Sequence, residues 1–474
     1  MKPGLTIGLF GIGLEAYWEQ FAGLKQRLEG YLATVHKKLS AVNISVIDLG
    51  LIDNVEKAFA AGREFRAAGA DILFLYPATY ALSSTVLPLV QRAKVPVIIL
   101  NLAPEASIDY AAFNAMTDRR KMTGEWLAFC SACPVPEMAN VFKRTGIDFF
   151  QVTGMLDDEE TWNEIREWVD AARVMKTMAY NRLGCMGHYY GGMLDTYTDL
   201  TTQYKYFGGH IEMIEVEELA ALRKAVTQAS IQERLGLFYE LFDVDPGYAA
   251  EDMEQAAISS VALDTLVARH QLGSLAYYYK GSGNPDHEET ISSLILGNSL
   301  LTARGVPVAG EYEIKNAQAM KIMDSFGAGG SFTEYYALDY RDDVVLMGHD
   351  GPGHIAIAEG KTKVRPLAVF HGKTGRGLSV EMSVKKGDVT FLSVVDSKDG
   401  TLMLLLAEAE SVEGPILQIG NTNSRYRFPI GAKRFVNEWN GQGPAHHAAV
   451  GVGHISARIE KLGKLLGMET VKLC

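Results

Sequence analysis

Apolar residues in the first 150 positions follow two alternating patterns. Short, nearly continuous apolar runs, among them "LTIGLFGI", "ISVIDLG", "DILFLYP" and "VPVIILN", are separated by stretches with helical spacing such as "EQFAGLKQRLEGYLATVHKKL". Continuous apolar strands are typical of a parallel sheet that helices cover on both faces. The pattern predicts a doubly wound α/β domain over residues 1–150, with right-handed crossovers.

The alternation continues over residues 151–325 and then changes. "IDFFQVTG" and "HIEMIEVEEL" indicate strands, and "DEETWNEIREWVDAARVMKTM" is an amphipathic helix with an acidic first turn. After about residue 330, stretches such as "VRPLAVFHG" and "GLSVEMSVKKGDVTFLSVVDSKDGTLMLLL" alternate and carry turn dipeptides, which is typical of antiparallel strands. We predict a central α/β domain over residues 151–325. A mostly antiparallel β domain follows over 326–474 and ends in the helix "ISARIEKLGKLLG".

Composition narrows the class of protein. The 474 residues are 47% hydrophobic and 22% charged, which is ordinary globular composition, and the net charge of −12 disfavours nucleic acid and anionic membranes as partners. No run reaches the roughly 18 apolar residues of a membrane span, and the N-terminus has no cleavage signal. Only four cysteines in so long a chain predict a reducing, cytoplasmic location. The pair in "CSACP" is interpreted as ordinary buried thiols, because no thioredoxin-like context surrounds it.

Four segments of the C-terminal half combine acids, imidazoles and glycines at the edges of apolar runs. They are "GEYEIK" with Glu311, "GGSFTEYY" with Glu334, "GHDGPGH" with His349, and "GPAHHAAVGVGH" with His446 and His447. Two carboxylates and two imidazoles suit a divalent ion such as Mn²⁺, Co²⁺ or Mg²⁺, and the absence of thiolates disfavours structural zinc. A shared metal site is one hypothesis for these segments.

Simpler interpretations of the same residues stay open. Glu311 and especially Glu313 fit the solvated face of a strand, and Glu334 fits a helix or turn cap. His354 and His446 suit structural or supporting positions better than direct ligation.

Taken in order, "GEYEIKNAQAMKIM", "GGSFTEYY", "VVLMGHDGPGH" and "GPAHHAAVGVGH" resemble the four metal-site segments of the L-arabinose isomerase family, within the wider fucose/arabinose isomerase fold. The match by position is Glu311, Glu334, His349 and His447. The resemblance implies that these four bind Mn²⁺, or Co²⁺ or Mg²⁺, and that the two glutamates also act as the acid/base pair.

The implied activity is aldose–ketose isomerisation, in which a proton moves between neighbouring carbons through an enediol. Asp350 and His446 are the partners that we predict for the ligating imidazoles. Members of the family form homo-oligomers, often hexamers, and borrow first-domain residues from a neighbouring subunit.

The first domain departs from the family pattern. A Gln-His segment of the family is replaced by "FGIGLEAYWEQF", and a His-Gly-Gly-Arg-Glu segment by "TDRRKMTGEW". We therefore predict a substrate surface made of Glu15, Tyr17, Trp18, Tyr279 and His446, although Tyr279 also fits a core position. L-arabinose is one candidate substrate, beside L-fucose, D-galactose or a modified pentose.

Two other classes of function stay open. One is a non-catalytic sugar-binding or regulatory protein, since the first domain also suits ligand-binding α/β proteins. The other is a metal-dependent hydrolase, which needs an activated water and an acid for the leaving group. The metal content of the purified protein separates the first of these from an isomerase.

Overall fold

The structure of the protein, a computed structural model, describes residues 4–41, 44–281, 283–367 and 376–474. The chain divides into two compact units, Met1–Lys176 and Thr177–Cys474.

The first unit is a parallel sheet with intervening helices. Its strands are β1 (Thr6–Ile12), β2 (Ser45–Ile52), β3 (Ile72–Pro77), β4 (Val97–Ala103) and β5 (Phe149–Met155), in the order β2-β1-β3-β4-β5. The helices are α1 (Leu24–Ser40), α2 (Val55–Ala67), α3 (Ser83–Ala93), α4 (Tyr110–Ala115), α5 (Arg119–Ala128), α6 (Val135–Thr145) and α7 (Glu159–Ala179). Every residue of β3, "ILFLYP", is buried, as a strand covered on both faces requires. The predicted α/β class is confirmed here.

The first boundary differs from the predicted one. "IDFFQVTG" was assigned to the central domain, but β5 pairs in parallel with β4, from Val97 opposite Phe149 to Ala103 opposite Met155. The strand completes the first sheet because its apolar face packs on the same core. The first compact unit therefore extends to Lys176 rather than to residue 150.

The second unit begins with another parallel sheet. Its strands are β6 (Arg182–Gly187), β7 (His210–Ile214), β9 (Ser274–Tyr278) and β10 (Val308–Ala309), in the order β10-β9-β6-β7, while the short β8 (Asp243–Val244) pairs elsewhere. The helices are α8 (Leu200–Phe207), α9 (Val216–Lys224), α10 (Gln228–Leu241), α11 (Ala250–His270), α12 (Pro285–Ser292), α13 (Ile295–Ala303) and α14 (Ile314–Ser325).

The rest of the second unit is built on antiparallel strands. They are β11 (Gly329–Asp339), β12 (Val344–His349), β15 (Gly387–Asp396), β16 (Leu402–Val412), β17 (Thr422–Arg427), β18 (His447–Val452) and the parallel edge strand β19 (Glu469–Lys472), in the order β15-β18-β11-β12-β17-β16-β19. A small sheet joins β13 (Lys363–Pro366) and β14 (Leu378–Glu381) to β8, and the helices are α15 (Ala432–Gly441) and α16 (Ser456–Leu466).

The predicted antiparallel C-terminal region is confirmed, with one difference at its end. The helix "ISARIEKLGKLLG" is followed by β19, which pairs with β16 from Met403 opposite Glu469 to Leu406 opposite Lys472. Of the strand predicted in "VRPLAVFHG", β13 covers the first part, and residues from 368 onward lie outside the described ranges. No helix among the described residues is long and apolar enough to cross a membrane.

Candidate metal centre

Glu311 lies in a turn with unusual backbone geometry between β10 and α14. Glu311 and Tyr312 both have left-handed φ angles, +56° and +60°, although neither is glycine. Such a conformation costs roughly 1–2 kcal/mol per residue, and strain of this kind concentrates at functional sites. The turn directs the Glu311 carboxylate and the Glu313 carboxylate toward the same imidazole, that of His447.

Strand register brings the other predicted ligands together. In the antiparallel pairings of β11, Glu334 lies opposite Gly348 on β12 and opposite His447 on β18. His349 follows Gly348 at the end of β12. Three segments that are far apart in the sequence therefore place their side chains at one end of neighbouring strands.

The segment 420–428, "GNTNSRYRF", supports the strand that carries His349. Its strand β17 pairs with β12, and the Thr422 hydroxyl accepts a hydrogen bond from His349 N at 2.9 Å and donates one to His349 O at 3.0 Å. A Cβ at Gly348 would lie 1.7 Å from the carbonyl oxygen of Thr422, so only glycine permits this approach. The glycine therefore fixes where the following histidine lies.

The donor atoms lie close together in two overlapping groups that share His447. Glu311 Oε2 lies 3.4 Å from His447 Nε2, and Glu311 Oε1 lies 4.0 Å from His349 Nε2. Two groups of three residues each hold ligand atoms within 4.8 Å of one another; they are Glu311, His446 and His447, and Glu334, His349 and His447. Together they contain all four predicted ligands, and His446 in addition.

The unsatisfied atoms of this cluster fit a bound cation. Glu311 Oε2 and His447 Nε2 are buried, and neither has a hydrogen-bond partner among the described residues. A buried polar atom without a partner is rare in folded proteins, and a cation that coordinates both atoms would satisfy them. Two carboxylates with neutral imidazoles match Mn²⁺ or Co²⁺ better than Ca²⁺, which prefers oxygen ligands alone.

The position of Glu313 differs most clearly from the one that the sequence predicts. It was assigned to a solvated strand face, yet its side chain is 1% exposed and its Oε2 is hydrogen-bonded to Nδ1 of His447, which is itself buried. Glu313 occupies the N-cap position of α14 without capping the helix, because its carboxyl group faces the imidazole. It is Glu313 that holds His447, a role that we had predicted for His446 or Asp350.

Burial sets the protonation of these groups. Desolvation lowers the pKa of His349 and of His447 to about 3, so both rings are neutral and able to bind metal at ordinary pH. Desolvation also raises the pKa of Glu313 to about 8. Burial alone would raise the pKa of Glu311, but contact with His446 and the neighbouring imidazoles keep that pKa below its usual range.

His446 is held by a residue that the sequence did not suggest. Asp195 Oδ2 accepts a hydrogen bond from the backbone N of His446 at 2.9 Å and lies 2.6 Å from its Nδ1. Lys315, on α14, donates to the backbone carbonyl oxygen of Asp195 at 2.7 Å. Burial would lower the pKa of His446, but its contact with the Glu311 carboxylate and its hydrogen bond to Asp195 raise it to about 9.

A cavity of about 490 Å³ opens at this cluster. Glu311, Glu334, His349 and His446 are among the residues that line it. The remaining lining is largely aromatic and aliphatic, from Tyr190, Met193, Tyr277, Tyr278, Tyr279, Ile291, Ile295 and Leu367, with Lys280, Glu288, Asp350 and Arg376 as further charged groups. The volume and the mixed lining are typical of a small-molecule site.

The predicted first-domain surface lies in the other unit. Glu15 is exposed after β1 and accepts from Asn54 at 3.2 Å, while Trp18 donates to Asp53 at 2.8 Å. Tyr17 is half-buried, with its ring 5.8 Å from that of Phe21 in an edge-on contact. The described residues that line the cavity all belong to the second unit, so a substrate role for these three stays a prediction.

The cysteine pair differs from the expected buried thiols. Cys130 is buried but Cys133 is exposed, and their sulfur atoms lie 2.6 Å apart in the turn between α5 and α6. Both are free thiols in the structure.

The supporting residues Asp195, Glu313 and Thr422 escaped the sequence analysis for different reasons. Glu313 had a signal, because it stands two positions after a matched ligand. Asp195 and Thr422 had none, since they lie 251 and 73 positions from the histidines that they contact.

Comparison with known proteins adds little. No protein-family model and no curated protein matches the chain. A periplasmic solute-binding protein of an ABC transporter from Actinobacillus succinogenes 130z, with bound D-allose, aligns at 12% identity and a TM-score of 0.16, over 65% of this chain and 78% of its own. A substrate-binding protein of a sugar ABC transport system from Bordetella parapertussis 12822 aligns at 12% identity and a TM-score of 0.17, over 69% and 81%. Likenesses this weak carry no argument about function.

Proposed function

We propose that the protein is a metal-dependent aldose–ketose isomerase with an L-arabinose isomerase-like fold. The observation that carries the proposal is that Glu311, Glu334 and His349 line one cavity, while His447 belongs to both groups of close ligand atoms at its edge. These are the residues that the resemblance to the L-arabinose isomerase family selects, and they come from four separate segments. An accidental match of four motifs would not be expected to bring their side chains together.

The chain's own residues have distinct tasks in such a reaction. A divalent ion held by the four ligands, Mn²⁺ or else Co²⁺ or Mg²⁺, would supply Lewis-acid stabilisation of negative charge on neighbouring substrate oxygens. Glu311 and Glu334 line the cavity, and one carboxylate removes the proton beside the carbonyl while the other returns a proton to the adjacent carbon. Glu313 keeps the His447 ring oriented from behind.

The substrate and the assembly follow from the same resemblance. We propose a pentose, hexose or modified sugar as substrate and a homo-oligomer as the working form, in a cytoplasmic setting. Size-exclusion chromatography with light scattering measures the assembly, and activity from a monomer would contradict this part.

The test is a screen of aldoses and ketoses in deuterium oxide. The protein is stripped with a chelator and assayed by NMR with and without added Mn²⁺, Co²⁺ or Mg²⁺. We expect interconversion only with metal, and deuterium at the carbon that gains the proton, because a carboxylic acid exchanges its proton with solvent. Glu334→Gln is the matched variant, and it should bind sugar but convert it roughly 10²- to 10⁴-fold more slowly.

Three outcomes count against the proposal. Full activity after exhaustive chelation would exclude the metal role. Conversion of sugar with no deuterium in the product would show that the hydrogen is transferred by a route other than the carboxylates. Sugar binding without any interconversion would favour the non-catalytic sugar-binding alternative.

A further inference from the structure

His446 is the cavity-lining histidine whose orientation is most closely fixed by another side chain. Its Nδ1 lies 2.6 Å from Asp195 Oδ2, and the same oxygen accepts its backbone N–H at 2.9 Å. An ionised carboxylate can only accept, so Nδ1 carries a proton. The other ring nitrogen, Nε2, then lies 3.5 Å from Glu311 Oε2 at the cavity.

Asp195 is itself anchored to the elements of the metal centre. It lies in the short turn Leu194–Thr196, whose backbone carbonyl at Asp195 accepts from Lys315. Lys315 is 5% exposed and also pairs with Asp396 at 3.1 Å, and Asp396 accepts from Thr198 at 3.1 Å. The segment is therefore tied to α14 at Asp195 and to β15 at Thr198.

This anchoring separates the pair from an ordinary surface contact. The side chains of His446 and Asp195 are 36% and 40% exposed, and ion pairs at such exposure contribute little to stability. Asp195 accepts two hydrogen bonds from His446 and is held by its own backbone carbonyl. Its main effect is therefore to fix the orientation of the His446 ring. A partner that holds one ring nitrogen fixes the rotation of the imidazole, and with it the position of the other nitrogen.

We propose that Asp195 is a positioning residue, which turns His446 so that Nε2 meets a reacting oxygen of the substrate at the metal centre. This proposal rests on the proposed isomerase function for its kinetic part only. His446 would be the catalytic residue, since it touches the substrate, and Asp195 acts through it. The role differs from that of Glu313, which orients His447.

The test compares Asp195→Ala, Asp195→Asn and the control Asp199→Asn in the full-length protein. Asp199 caps α8 in the same segment and contacts Thr201 and Thr202, and it is absent from the cavity lining. Asn keeps an acceptor oxygen at position 195, whereas Ala removes it. Nitrogen NMR of protein labelled in histidine reports whether Nδ1 of His446 is protonated and hydrogen-bonded, with His446→Gln used to assign the signal.

In Asp195→Ala we expect His446 to lose the NMR signature of a protonated, hydrogen-bonded Nδ1. The signals of His349 and His447 and the number of Mn²⁺ ions bound per chain should stay unchanged. Removing an orienting partner typically costs 10- to 100-fold in activity, so kcat should fall by that factor with KM within about threefold. Asp195→Asn should keep the signature and recover most of kcat. Asp199→Asn should match the wild type in both.

Two results would overturn the proposal. One is an unchanged His446 signal in Asp195→Ala, and the other is a loss of metal or of thermal stability that parallels the loss of kcat, which indicates a structural role. If no sugar is converted by any form, the isomerase function fails, while the NMR comparison still decides whether Asp195 orients His446.

Discussion

Replacing Glu313 by glutamine probes the contact that the sequence least anticipated. At pH 7 a carboxyl group with a pKa of about 8 keeps its proton, and His447, with a pKa of about 3, is neutral. When Nε2 of His447 binds a cation, its Nδ1 must carry the ring proton and Glu313 must accept it as a carboxylate. The pair holds two protons before binding and one afterwards, so binding releases one proton.

The sign and size of the effect follow from this count. Since one proton is released, this pair makes the Mn²⁺ affinity rise about tenfold per pH unit up to roughly pH 8. Glu313→Gln presents a neutral amide that accepts the same hydrogen bond without losing a proton, so the variant should show a slope smaller by one proton. At pH 8 its affinity should be about 10- to 100-fold lower, or about 1.4 to 2.7 kcal/mol, the usual loss for a carboxylate behind a metal-bound histidine.

Isothermal titration calorimetry with Mn²⁺ at pH 6, 7 and 8 measures both quantities. Buffers with different ionisation enthalpies give the number of protons released directly. Glu217→Gln, an exposed glutamate in the first turn of α9, is the control and should behave as the wild type. Equal pH slopes for Glu313→Gln and the wild type would refute the reasoning, even if the affinity fell.

Three further outcomes are expected. Glu311→Gln and Glu334→Gln should each lower kcat roughly 10²- to 10⁴-fold in the sugar assay, the scale of general acid–base catalysis, and a loss of less than tenfold in both would remove them from that role. Thr422→Val removes a buried hydroxyl that bonds twice to the strand carrying the ligand histidine, so it should cost about 1–3 kcal/mol in unfolding free energy by urea titration and weaken Mn²⁺ binding; an unchanged midpoint and affinity would contradict this. Oxidised glutathione should link Cys130 to Cys133 in a reversible disulfide, since their sulfur atoms are 2.6 Å apart. Mass spectrometry should then count two free thiols instead of four, and four remaining thiols would contradict the prediction.

Sequence patterns predicted the sheet types because strand burial is local information. The all-apolar "ILFLYP" can only lie inside a covered sheet, and the alternating stretches after residue 330 form the antiparallel one. Membership in a sheet is not local, and this is why β5 was assigned to the wrong region. Its residues fit either sheet equally well, and only pairing with β4 decides.

In the candidate site, too, some residues could be predicted from local sequence and others depend on non-local structure. Glu334, His349 and His447 could be selected from their motifs, and register then places them side by side. In the strand that stayed open as an alternative for "GEYEIK", Glu311 and Glu313 would share one face. The left-handed turn instead places one carboxylate near each ring nitrogen of His447, and no propensity predicts two successive non-glycine residues with positive φ.

This arrangement also makes the folded site costly when no cation is bound. Glu311 Oε2 and His447 Nε2 are buried with no hydrogen-bond partner among the described residues, and each such atom costs about 1–3 kcal/mol. The left-handed turn at Glu311 and Tyr312 adds backbone strain to the same few residues. A cation that coordinates both atoms removes the desolvation cost only in the folded state, since the turn and the strand register do not exist in the unfolded chain. Binding of the proposed ion would therefore be coupled to folding of this region, and Glu313, which holds His447 from behind, would act on both.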